Sequence, residues 1–133
     1  MARDLKIRIR LCAWAALGPG KVALLQAVGR LGSITAAAKD QGMSYRRAWF
    51  LLDEMNRALA EPVVEASFGG AKGGGARLTP SGVAVVELYR RIEDKTYAAV
   101  ADELAALSAM LAPEVEEEAE AQGKEEDEGG CSP

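Results

Sequence analysis

Residues 33–47 read SITAAAKDQGMSYRR, and the spacing inside that run decides most of what the chain can become. Ser33 is a good N-cap for a short helix over Ile34–Gln41. Gly42 ends that helix as a C′ glycine, and Ser44 caps the next one at once. Only Gly42 and Met43 then separate two helices. So short a link does not reverse the chain into an antiparallel hairpin; the helices must cross steeply, and Ala36, Ala37 and Ala38 let them come close. That is the helix-turn-helix arrangement. The second helix runs to about Ala60, where Pro62 stops it.

The flanks add strands and two more helices. Leu5, Ile7, Ile9 and Leu11 alternate with Lys6, Arg8 and Arg10, the pattern of a half-buried strand. Gly18-Pro19-Gly20 breaks it, and Lys21–Leu31 places Val22, Leu25 and Val28 at helical spacing before Gly32. Val63–Phe68 reads as a strand, Ala76–Leu78 as its return, and Thr79-Pro80 as an N-cap followed by proline at the first helical position. No proline recurs until Pro113. A helix of about thirty residues spans roughly 45 Å, more than a small domain needs for its own core. Along it Tyr97, Val100, Leu104, Leu107 and Leu111 step by three and four, a narrow apolar seam suited to a second copy. Tyr89 and Ile92 continue it upstream, one residue out of phase, so a supercoil over the full length is not expected. The competing reading is a core helix of one chain.

A chain of 133 residues is about one domain. It has no histidine, and Cys12 and Cys131 lie at opposite ends, so neither a zinc site nor a neutral-pH general base is in prospect. We expect no enzyme, no cofactor and no metal. No run approaches the roughly 18 apolar residues of a membrane span, and the alternating N-terminus is not a signal peptide, so a cytoplasmic, reduced protein is expected. The net charge of −4 conceals a division. From Pro113 to Pro133 nine acids face Lys124 alone, whereas the preceding residues carry fifteen Lys/Arg against eleven Asp/Glu. The tail is low-complexity and is expected to be disordered. The body is basic, which suits an anionic partner.

Two places gather that charge. Arg46 and Arg47 occupy the first turn of the second helix, where the macrodipole is positive and each exposed cation costs about 0.3–1 kcal/mol. Nothing in folding asks for them there; a docked phosphate or a guanine edge does. Ser44 and Tyr45 can bind phosphate, and Phe50 can touch a thymine methyl. Tyr45 suits core or contact. Trp49, Leu52 and Met55 are expected in the core, and Asp53, Glu54 and Asn56 in structural or solvent roles. The second place is FGGAKGGGARLTPSG, residues 68–82. It is no Walker A loop, because Lys72 is followed by Gly73, and no dinucleotide fingerprint, because Leu78 stands where the third glycine would. A nucleotide-binding enzyme is thus only a remote alternative. With strand-forming residues on both sides, the loop reads as a hairpin tip directly after a helix-turn-helix: a wing, with Lys72 and Arg77 as backbone clamps.

GSITAAAKDQGMSYRRAW, then DEMN, then GGAKGGGARLTPSG and a long helix with ELY, resembles the N-terminal DNA-binding domain of the molybdate-responsive regulators of the ModE family, over roughly Leu5–Arg91. The resemblance implies a dimeric winged helix-turn-helix, distantly similar to the LysR type, that binds operators of molybdenum genes. It carries over to Gly42, Met43, Ser44, Tyr45, Arg46 and the wing glycines. It also implies oxyanion-binding domains that the acidic tail is too short to form, so direct molybdate sensing is not expected.

The expected architecture is therefore mainly α with a small β-hairpin wing. A winged helix-turn-helix occupies 1–79, a dimerisation helix 80–112 and the tail 113–133. The expected function is a sequence-specific DNA-binding regulator that pairs as a homodimer. Its alternative heterodimerises with a full-length relative through the same helix. DNA contacts fall to Ser33, Lys39, Ser44, Tyr45, Arg46, Arg47, Phe50, Lys72 and Arg77. Dimer contacts fall to Tyr89, Ile92, Tyr97, Val100, Leu104, Leu107 and Leu111.

Overall fold

A computed structural model describes residues 5–67 and 75–113. Lys72 and the other wing-tip positions of 68–74 lie outside the described residues, as does the acidic tail beyond Pro113. The alternation at the N-terminus is present, with Leu5, Ile7, Ile9 and Leu11 half-buried and Lys6, Arg8 and Arg10 exposed. Only part of it is a paired strand. β1 (Ile9–Cys12) pairs antiparallel with β2 (Ala15–Leu17), which carries no turn signal in the sequence and is an addition to the expected elements. Ala13 and Trp14 make the turn, and the register slips between Arg10 and Cys12.

α1 (Pro19–Leu31) begins on the proline that the sequence marks as a breaker, because proline at the first helical position gives up only an amide that has no helical partner. It ends at Gly32, whose φ of 71° few side chains adopt. α2 (Ile34–Asp40) is capped by the Ser33 hydroxyl, which accepts from the Ala36 amide at 3.1 Å. Gly42 takes a φ of 67°, and the Met43 amide donates to the Ala38 carbonyl, turning the chain straight into α3 (Tyr45–Ala58). The Ser44 hydroxyl caps α3 through the Arg47 amide at 3.1 Å. The helix-turn-helix is therefore formed where its capping pattern places it.

β3 (Val64–Ser67) and β4 (Gly75–Leu78) form the wing, pairing Val64 with Leu78 and Glu65 with Arg77. The Ala76 amide donates to the Gly32 carbonyl at 3.0 Å, so the α1–α2 turn borders β4 much as a third strand would. α4 (Pro80–Ser108) follows, 29 residues and about 43 Å long. The core is shared by Val22, Leu24, Leu25 and Val28 of α1, Ala37 and Ala38 of α2, Ala48, Leu52 and Met55 of α3, Val63 and Val64 beside the wing, and Tyr89.

Tyr89 corrects one expectation. It is 0% exposed, and its hydroxyl donates to the Ile7 carbonyl at 2.6 Å, holding the N-terminal segment on α4. Burial pushes its phenol above the ordinary value, with Glu93 adding to that effect and Arg90 opposing it. Its bulk is used inside one chain, so it is not a dimer contact. Arg90 still reaches Gln26 of α1 at 2.5 Å, whereas Leu107 near the end of α4 and Met110 just after it are 61% and 81% exposed.

The entry into α4 is tightly packed. The Thr79 hydroxyl donates to the Pro62 carbonyl at 2.5 Å and accepts from the Gly82 amide at 3.0 Å, while the Thr79 amide donates to the Val63 carbonyl. A Cβ on Gly82 would stand 2.1 Å from that same Val63 oxygen, a backbone atom that cannot swing aside. Gly82→Ala gains about 1 kcal/mol of helix propensity but overpacks the junction by roughly 1–3 kcal/mol or more. We expect net destabilisation, seen as a lower urea midpoint; an unchanged midpoint would show that the helix entry relaxes freely.

Candidate nucleic-acid interface

α3 is held by its far half. Lys21 of α1 pairs with Glu54 and donates also to the Ala16 carbonyl at 2.7 Å, both charged side chains being largely withdrawn from solvent. Arg57 pairs with Asp53 at 3.0 Å and lies over the Trp14 ring at 5.2 Å. Asn56 makes the third attachment. Its Oδ1 accepts from the Val63 and Val64 amides at 2.8 and 3.2 Å, and its Nδ2 donates to the Val64 carbonyl at 3.0 Å. One side chain thus stitches α3 to the first strand of the wing.

The near half is left open. Ser44, Tyr45, Arg46, Arg47 and Phe50 are all exposed, and no acid stands in the first turn. Arg30, Arg57, Arg77 and Arg90 each bind a carboxylate. Among the described residues Arg46 and Arg47 have no such partner. Two guanidiniums thus stand at a helix N-terminus, where the first amides have no carbonyl partner in the same helix and that of Arg47 is capped by Ser44.

Trp49 corrects a second expectation. It is 50% exposed, not core. Ala48, Leu52 and Met55 recur at i, i+4 and i+7 and fill the inward stripe, which turns residue 49 outward. With Tyr45 and Arg46 it lines a shallow concavity. Of the other expected contacts, Lys39 is exposed near the end of α2, and Ser33 is half-buried with its hydroxyl already accepting the capping bond. Arg77 is exposed on β4 but engaged at 2.7 Å by Glu65 across the hairpin. Beside Lys39, Asp40 accepts from Gln41 and Arg30, which together hold its carboxyl below the usual range.

No protein-family model matches the chain. MopB of Rhodobacter capsulatus, described as a molybdenum-pterin-binding protein, is 52% identical over 79 residues, 59% of this chain. The transcriptional regulator ModE of Yersinia pestis is 37% identical over 111 residues, 81% of the chain, and ModE of Escherichia coli K12 is 34% identical over 116 residues, 84% of it. Over much of its length the chain is similar to proteins named ModE. It spans 29% of MopB and 41% and 44% of those two ModE proteins. Among solved structures, the CbnR DBD–DNA complex matches 65% of this chain and 94% of its own at TM-score 0.50 and 24% identity. A mutant form of the S. aureus protein MepR matches 82% of this chain and 76% of its own at TM-score 0.51 and 16% identity. Both likenesses concern the fold, the winged helix.

Asn56 is the residue whose importance the sequence conceals; the one available signal is an amide placed next to the apolar stripe of α3. Asn56→Ala leaves two amides and a carbonyl without their partner, at about 1–3 kcal/mol for each that stays dry. A stability loss of at least about 2 kcal/mol in chemical denaturation is expected.

Proposed function

We propose that this chain is the DNA-binding part of a ModE-type transcription regulator, entering the major groove of double-stranded DNA with α3. One observation carries the reading. Arg46 and Arg47 stand without a carboxylate partner among the described residues, at the N-terminus of a helix whose other end is braced; helix-turn-helix proteins present that N-terminus to base edges. The ModE names of its homologues support it. Ser44, Tyr45 and Phe50 complete the groove contacts; Ser33, Lys39, Lys72 and Arg77 serve the flanking phosphates. On this reading the protein is not an enzyme and works in the cytoplasm; no helix among the described residues is long and apolar enough to cross a membrane. Arg46→Ala and Arg47→Ala should each weaken operator binding and lower the salt slope by about one unit for every phosphate no longer neutralised. Unchanged affinity and slope in both variants would remove α3 from the interface.

The reading extends to a homodimer built on residues 80–112. Supporting it are exposed apolar residues of α4 and just after it: Leu88, Ile92 and Leu107, then Leu111; an open groove lined by Leu11, Leu17, Leu59 and Val85 lies beside Leu88 and Ile92. Leu104→Glu with Leu107→Glu should halve the mass in sedimentation and weaken operator binding. A dimeric mass in that variant would place the dimer interface elsewhere.

A further inference from the structure

The outward face of α3 is unusually aromatic for a surface that binds a polyanion. Arg46 is followed one turn later by Trp49 at i+3 and Phe50 at i+4, with Tyr45 alongside; the three rings of Trp49, Phe50 and Tyr45 are 50%, 51% and 52% exposed. Folding does not account for the indole. The inward stripe is filled, and Trp49 shares with Tyr45 and Arg46 a concavity open to solvent. An indole left half in water is completed by an apolar surface opposite it. Phosphates and most base edges are polar, and the apolar group that the major groove offers is the C5-methyl of thymine.

We propose that Trp49 is a specificity-determining residue that recognises thymine through this methyl group, beside a base or phosphate held by Arg46. The proposal rests on the reading of α3 as the groove-entering helix and adds to it the chemistry of the preferred site. Side chains at i and i+3 on a helix lie about 5–6 Å apart. Successive bases are spaced about 3.4 Å along a strand. The thymine therefore falls within one or two base pairs of the base or phosphate that Arg46 holds. Phe50, on the other side of Arg46, can extend the apolar surface. The indole also makes a site with cytosine at that position weaker, since the ring then faces a bare base edge and an amino donor that it cannot accept.

The test uses the whole chain and a duplex selected by it from a random pool. That duplex is then synthesised with each thymine in turn replaced by uracil, which removes only the methyl group. Wild-type protein should bind about four-fold more weakly for each recognised methyl removed. Trp49→Ala, checked for folding by circular dichroism, should bind the thymine duplex more weakly and be indifferent to the swap; Trp49→Phe should keep part of the discrimination. Wild-type indifference to uracil at every position would overturn the proposal, as would full discrimination by folded Trp49→Ala. So would a change of mass without a change in discrimination, which would assign the ring to a protein interface. Failure to enrich any duplex would overturn the reading of α3 itself, an outcome distinct from enrichment without a methyl effect.

Discussion

The backbone of Pro62 and Val63 is where the elements of this molecule are tied. The Asn56 side chain reaches it from α3, the Thr79 amide and hydroxyl from the end of the wing, and the Gly82 backbone from the first turn of α4. Val63 itself is fully buried. Buried amides and carbonyls must find partners, and here they come from Asn56 of α3 and from Thr79 at the entry to α4. The angle between the helix-turn-helix, the wing and the long helix is thereby fixed by hydrogen bonds to one short stretch of backbone, with close packing at a residue that has no side chain.

α3 divides into two halves with opposite solutions for charge. In its second half, Glu54, Asp53 and Arg57 are all neutralised by ion pairs. In its first half, Arg46 and Arg47 oppose the macrodipole and have no counter-charge within the described residues. The first arrangement fixes the helix; the second leaves it poorly satisfied by the described part of its own chain. A helix mounted by one end and electrostatically incomplete at the other is what the proposed DNA-binding role asks for.

Much of this is legible in the sequence because it depends on local chemistry. Ser33, Gly42, Ser44 and Thr79 act through caps and turns a few residues long, and they place α2, α3 and α4 within one to three residues of where they lie. Burial of Val22, Leu25, Val28, Leu52 and Met55 likewise follows from helical spacing. What escapes a sequence reading involves partners distant in the chain or a choice between neighbouring helix faces. β2 is illegible because Ala15–Leu17 has no alternation and its turn no glycine. The apolar character of Trp49 argues for the inside, yet Ala48 is better positioned for the core, and the smallest side chain is what the close α2–α3 crossing accepts. Tyr89 looks like a partner's residue because its hydrogen bond to Ile7 spans 82 residues. Asn56 hides its role for the same reason: its partners lie across the break at Pro62.

The long helix has a consequence for what the protein can measure. Its first turn is locked to the wing through Thr79 and Gly82, while its last turns project some 20 Å or more past Tyr89 as an uninterrupted rod. In a pair of chains joined along such rods, the register of the rods sets the distance between the two α3 helices. Helix-turn-helix dimers must span about one turn of DNA, roughly 34 Å, and a slip of one helical turn along the rod moves each end by about 5.4 Å. The apolar seam would then act as a ruler, deciding how far apart two half-sites must lie before both can be read together.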